Sequence, residues 1–165
     1  MQDINKMPAN AKTWIFAANR KLSKDEQYQI ENLTKDFTSK WVSHNQPVVS
    51  DFEIMNDVFL VMMVDENSCH LGGCGSDDLF NFVKETGAKL NLEFLNRLQV
   101  EFLKDGETII STKQKVIEMH ESGKISDDTI FFNKNILYKS EFEMKFNTPF
   151  SEFWIYKGIK QIQSV

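Results

Sequence analysis

The chain has 165 residues, with 19 Lys and Arg against 24 Asp and Glu and a net charge of −5 at pH 7. That is the length of about one ordinary domain, and 41% hydrophobic with 26% charged residues describes a globular chain rather than a disordered one. The acidic balance, with bases scattered among acids as in "NRKLSKDE" and "FLKDGE", speaks against a nucleic-acid surface, and the longest apolar run, "VFLVMMV" at 58–64, is too short to span a bilayer.

Residues 1–12, "MQDINKMPANAK", contain no apolar h-region, so they read as a flexible leader and not as a signal peptide. With two cysteines and no secretion signal, the expected compartment is the cytoplasm, with Cys69 and Cys74 as thiols. "TWIFAA" (13–18) is the first expected strand. Next, Ser23 and Glu26 have capping-box spacing, and Ile30, Leu33, Phe37 and Trp41 recur at helical intervals, predicting a helix over 24–43. "VVSDFEIM" (48–55) alternates as a half-buried strand does, Asn56-Asp57 makes a turn, and 58–65 is apolar on both faces of a strand. Leu79, Phe82, Val83 and Leu90 predict a second helix over 77–91, or one that runs on through "LEFLNRL". "QVEFLKDGETIIS" is a hairpin about Asp105-Gly106, a third helix ends at Gly123, and 128–133 is a further strand. No assignment is made for the last thirty or so residues, which are rich in aromatics.

The first six elements run β-α-β-β-α-β, which predicts an α+β, ferredoxin-like sandwich over 13–104. Its first and third strands would be central, as their two-sided apolarity requires. Both helices of such a sandwich lie on one face, so the other face needs a cover. The C-terminal extension (105–165) or a partner subunit is the expected cover.

Between the third strand and second helix lies "VDENSCHLGGCGSDDLF" (64–80), the richest stretch in chemistry-bearing residues. In this topology His44 approaches it, and Arg20 sits at the opposite end. Cys69, His70, Cys74 and His44 are zinc-type donors, but C-x₄-C with one adjacent His is not a strong spacing and nothing obliges the fourth ligand, so no metal is expected. Cys74 near a helix start, assisted by His70 or His44, is the candidate nucleophile. The dipole there favours a thiolate, and Asp77 and Asp78 oppose it. Gly72, Gly73, Cys74, Gly75 and Ser76 form a candidate cradle for a small anion, again opposed by the two aspartates. The plainer reading is a connector with Ser76 or Gly75 as the helix cap. His120 is expected at a surface or boundary, and the three tryptophans in the core.

"WIFAANRKLS", "GGCGSDDLFNFV", "KDGE" and "GKISDDTIFFN" resemble, in order and spacing, a family of short bacterial proteins whose members are often labelled ABC transporter ATPase. The resemblance implies no reaction and no catalytic residue. The label itself requires G-x-x-x-x-G-K-[ST], whereas the only Gly-Lys pair, Gly123-Lys124, is followed by Ile125 and has Glu118 where the first glycine belongs. Residues 111–133 also resemble the helix-turn-strand segment of GYF-type domains, without their aromatic peptide-binding signature. The expectation is a module that binds a small anionic ligand or a protein partner, as monomer or homodimer, without cofactor, nucleic acid or membrane. Thiol chemistry at Cys74 is the alternative.

Overall fold

The computed structural model describes residues 3–164. In chain order the elements are β1 (Lys12–Ala17), α1 (Lys24–Lys40), the short strands β2 (Val42–Ser43) and β3 (Gln46–Pro47), β4 (Val49–Met55), β5 (Phe59–Asp65) and α2 (Gly73–Leu90). They continue as β6 (Gln99–Lys104), β7 (Glu107–Thr112), α3 (Lys113–Glu121), β8 (Ile130–Phe132), α4 (Lys139–Lys145), β9 (Asn147–Pro149) and α5 (Trp154–Gln163). The class is α+β, built on small antiparallel sheets. Among the described residues, no helix is long and apolar enough to cross a membrane.

Local chemistry accounts for most boundaries. Ser23 caps α1 through the Glu26 N–H while the Glu26 carboxylate accepts from the Ser23 N–H, completing the capping box. Asn56 and Asp57 both take φ of 54°, as do Asp105 and Gly106 at 51° and 79°, so each pair makes the left-handed two-residue turn that matches strand twist. Helix α1 ends at Lys40 rather than 43, its last expected residues forming β2, and two further boundaries depart from expectation. Helix α2 begins at Gly73, not near 77, with Gly72 as its cap in place of Ser76 or Gly75. Four small or polar residues carry no apolar periodicity, so the first turn was invisible to pattern. The stretch taken as a flexible leader holds a 3-10 turn, Ile4–Lys6, and Ile4 and Ala11 are buried; residues 1 and 2 lie outside the described residues.

The first sheet has the order β1-β5-β4, with β5 inserted antiparallel between the other two. Its central strand is buried on both sides, from Val58 through Val64. Leu60, Met62 and Val64 face α1 and α2, joining Ile30, Trp41, Leu79 and Val83 in one core. Phe59, Val61 and Met63 face the other way, into a second core with Phe132, Ile136, Phe142 and Phe146 from the C-terminal third and Ile4 from the N-terminus.

The strand expected to complete that sheet does not join it. β6 lies in a separate four-stranded sheet of order β7-β6-β8-β9, and β1 is left at an edge. The hairpin turn commits β6 to β7, and Gln99, Val100, Glu101 and Phe102 are all buried, where alternation had predicted an exposed face. This second sheet carries a third core of Val100, Phe102, Val116, Phe131, Phe150 and Ile155.

Candidate functional site

The glycine-rich stretch after β5 is packed from below by the β2–β3 hairpin. His44 and Asn45 form its left-handed turn, with φ of 50° and 62°. This hairpin does bring His44 to the stretch: a side chain at Gly72 would begin 2.6 Å from its Nε2. Ser43 Oγ accepts from the Gly72 N–H at 3.3 Å and donates to the His70 carbonyl, while Trp41 Nε1 donates to the Gly75 carbonyl at 3.2 Å. At Gly75 a Cβ would lie 2.5 Å from Leu71. Gly72 and Gly75 are therefore closely covered, by the His44 ring and the Leu71 side chain, whereas Gly73 faces open space.

The two cysteines have different surroundings. Cys69 is buried, its Sγ directed at the Ser43 carbonyl 3.5 Å away, whereas Cys74 is exposed in the first turn of α2 rather than ahead of it. Neither histidine hydrogen-bonds to Cys74 among the described residues. His70 is turned to Glu66, 3.3 Å away, whose carboxylate also accepts from the Leu71 N–H. No group of three or more His, Cys, Asp or Glu capable of holding a metal occurs among the described residues. Arg20 is bound to Glu26 at 2.7 Å beside the end of α2, away from this stretch. The stretch has the internal bonding of a connector.

His120 Nε2 lies 2.9 Å from Asp127, which also accepts from Tyr156. The His120 hydrogen bond, with help from Tyr156, holds the Asp127 carboxyl below its usual range despite some desolvation. His120 and Tyr156 both pack against Phe150, the tyrosine edge-on. This arrangement latches α3 to α5. Of the tryptophans, Trp41 is core, Trp14 is half-buried and Trp154 is exposed.

A further concavity lies elsewhere, along the open edge of β1. It encloses about 580 Å³ between β1, residues 94–97 and residues 134–137, with Phe80 of α2 on one wall. Its floor is polar backbone. Trp14 and Phe16 lie in the alternating register that bonds to β5, as does Ala18, whose N–H donates to Val58; Thr13, Ile15 and Ala17 therefore turn their backbone groups to the groove. The Thr13 N–H donates to the Leu137 carbonyl, and the Lys139 N–H to the Ala11 carbonyl. That ladder then stops, because the Leu137 N–H is taken by the Glu141 carboxylate. Beyond it the Ile15 and Ala17 N–H groups and the Thr13 and Ile15 carbonyls have no partner among the described residues.

The walls are apolar and the corners cationic. Phe80, Leu95 and Leu137 line the groove although each is exposed. Lys12, Arg97 and Lys134 also line it, and no carboxylate does. Lys134 is held: its Nζ lies 2.8 Å from each oxygen of the wholly buried Glu101, donating to Oε1, and also donates to the Gln99 carbonyl. Gln99 Nε2 in turn donates to Glu101 and to the Ala18 carbonyl at the end of β1. This pair bounds a smaller cavity of about 100 Å³ that shares Arg97, Lys134 and Asn135 with the groove. Sequence reading missed the site because β6 was placed where the groove is, and Glu101 on an exposed face. The segment "LEFLNRL", open to being read as a continuation of α2, instead lies beyond the helix, which ends at Leu90, and supplies Phe94, Leu95, Asn96 and Arg97 to the groove.

No family model matches the chain, and no curated protein or solved structure matches it.

Proposed function

We propose that the protein is a non-catalytic interaction module that takes an extended segment of a partner protein into the β1 groove by strand addition. Strands β1, β5 and β4 with α1 and α2 supply five of the six elements of a ferredoxin-like sandwich, and the place of the sixth is the groove. A guest strand antiparallel to β1 completes the order. Supporting this reading is one observation: the free backbone groups of Thr13, Ile15 and Ala17 form the floor of a groove walled by exposed apolar side chains. Four main-chain hydrogen bonds supply affinity, and Phe80, Leu95 and Leu137 provide pockets for alternate side chains of the guest. Edge strands left open in this way pair readily with another chain. A groove of this volume is within the usual range for ligand sites.

The test is selection from a random twelve-residue peptide library displayed on phage, panned against the full chain. Selected peptides are expected to protect the Ile15 and Ala17 amides from hydrogen exchange. Ile15→Pro should abolish binding, because the ring removes an outward N–H and projects into the groove while leaving the β5 ladder intact. Binders that protect other amides and ignore Ile15→Pro would overturn the proposal. Thiol chemistry at Cys74 has exposure in its favour but no base positioned on the sulfur.

A further inference from the structure

Resting on the strand-addition reading, we infer that the guest strand is acidic, with a carboxylate side chain bound by Arg97 at the Ala17 end of the groove. The chain as a whole carries more acids than bases, yet the groove is lined by three cations and no carboxylate. Those cations are not equivalent. Lys134 commits two of its three N–H donors to Glu101 and the Gln99 carbonyl and its charge to Glu101, so it positions the 134–137 wall and is not an unpaired cation. Lys12 rests 5.2 Å above the Trp14 ring, at the end where residues 137–139 already pair with β1.

Arg97 is exposed and has no carboxylate partner among the described residues. It lines both the groove and the smaller cavity next to Gln99, whose side chain is bonded to Ala18, and this places it at the Ala17 end. Glu101, which lines the smaller cavity with Arg97, is wholly buried against Lys134. Arg97 presents a planar fork of N–H donors, the geometry that pairs with a carboxylate through two parallel hydrogen bonds. In antiparallel register, the guest residues meeting the Ala17 end precede the one opposite Ile15, so the acid belongs in the N-terminal half of the guest. Apolar side chains follow, against Phe80, Leu95 and Leu137.

The groove also argues against a second copy of this chain as occupant. β1 is recessed between residues 94–97 and 134–137, so two such edges cannot meet face to face.

The experiment uses the peptide selection on the full chain, run at 50 and at 500 mM salt. Acidic sequences should dominate at low salt, and replacing their Glu and Asp by Gln and Asn should weaken binding at least tenfold. That loss should vanish in Arg97→Gln and shrink at 500 mM salt, since exposed charge pairs are screened. Arg97 is exposed, so this variant should unfold at the wild-type temperature, which the same preparation checks. Acidic binders indifferent to Arg97→Gln overturn the assignment of Arg97. Neutral or basic binders that still protect the Ile15 and Ala17 amides overturn the acidic guest and leave strand addition standing. If no selected peptide protects those amides, or if a dimer in sedimentation does so alone, both readings fall.

Discussion

Lys134 and Glu101 illustrate how one ion pair can set the shape of a site. Glu101 is fully buried on β6, and Lys134 is the cation that neutralises it. A buried pair of this kind contributes little net stability over an apolar pair, but losing one partner strands a charge in a low dielectric. Lys134→Met is therefore expected to cost about 3–5 kcal/mol in chemical denaturation. The double variant Glu101→Leu/Lys134→Met should recover most of that loss; a double variant as unstable as the single one would show that the pair is not the cause. Gly87 makes a second residue-scale case. A Cβ there would lie 2.6 Å from the Leu92 carbonyl oxygen, a backbone atom fixed by the turn that ends α2. Gly87→Ala should destabilise by roughly 1–3 kcal/mol even though alanine favours helices, as overpacking does in a tight interior. An equal or higher melting temperature would contradict it.

Helix α1 depends on its first turn. The side-chain hydrogen bond from Arg20, followed by that from the Ser23 N–H, holds the Glu26 carboxyl at about 2 against an ordinary 4.5. A carboxyl lowered in the folded state contributes stability that is present above its unfolded value and lost as pH falls through the folded one. The window is thus from about pH 4.5 down to about 2. Glu26→Gln should be less stable than the wild type at pH 7, and the two should converge towards pH 2. A difference independent of pH would show that the carboxylate's charge is not involved. Ser23→Ala removes the other half of the box and should cost about 0.5–2 kcal/mol. The hairpin turns belong to this scale as well. Asp105-Gly106 ties β6 to β7 by a short local closure, and pairing with β8 occupies the other edge of β6, so neither edge is left for β1.

Across the whole molecule, the three cores share elements. β5 sends alternate side chains into the first and second cores, while Phe131 and Phe132 on β8 point into the third and second. Neither sheet can lose its packing without exposing the other, so calorimetry should show one transition with calorimetric and van't Hoff enthalpies in agreement. Two resolved transitions would mean that the sheets unfold separately. Phe146 sits at the junction, 5.4 Å from Phe59, 5.3 Å from Phe132 and 4.7 Å from Phe142 between ring centroids. Phe146→Ala should lower stability by about 3–5 kcal/mol and keep a single transition.

The sequence by itself determined those features whose causes lie within a few residues. These are the α1 capping box, the turns at Asn56-Asp57 and Asp105-Gly106, the strand with two apolar faces, and the need for a cover over the face that α1 and α2 leave open. It also brought His44 towards the 65–76 stretch, because the antiparallel order of β1, β5 and β4 was readable from which strand was apolar on both faces. Only the tertiary structure decided where β6 goes. An alternating tetrapeptide such as "QVEF" suits an edge of one sheet as well as the centre of another, and the choice turns on partners thirty residues further on in β8. The groove follows from that choice. A vacant strand position has no residues of its own, so it leaves no mark in the sequence, and its lining comes from segments brought together only when the second sheet closes over Glu101 and Lys134.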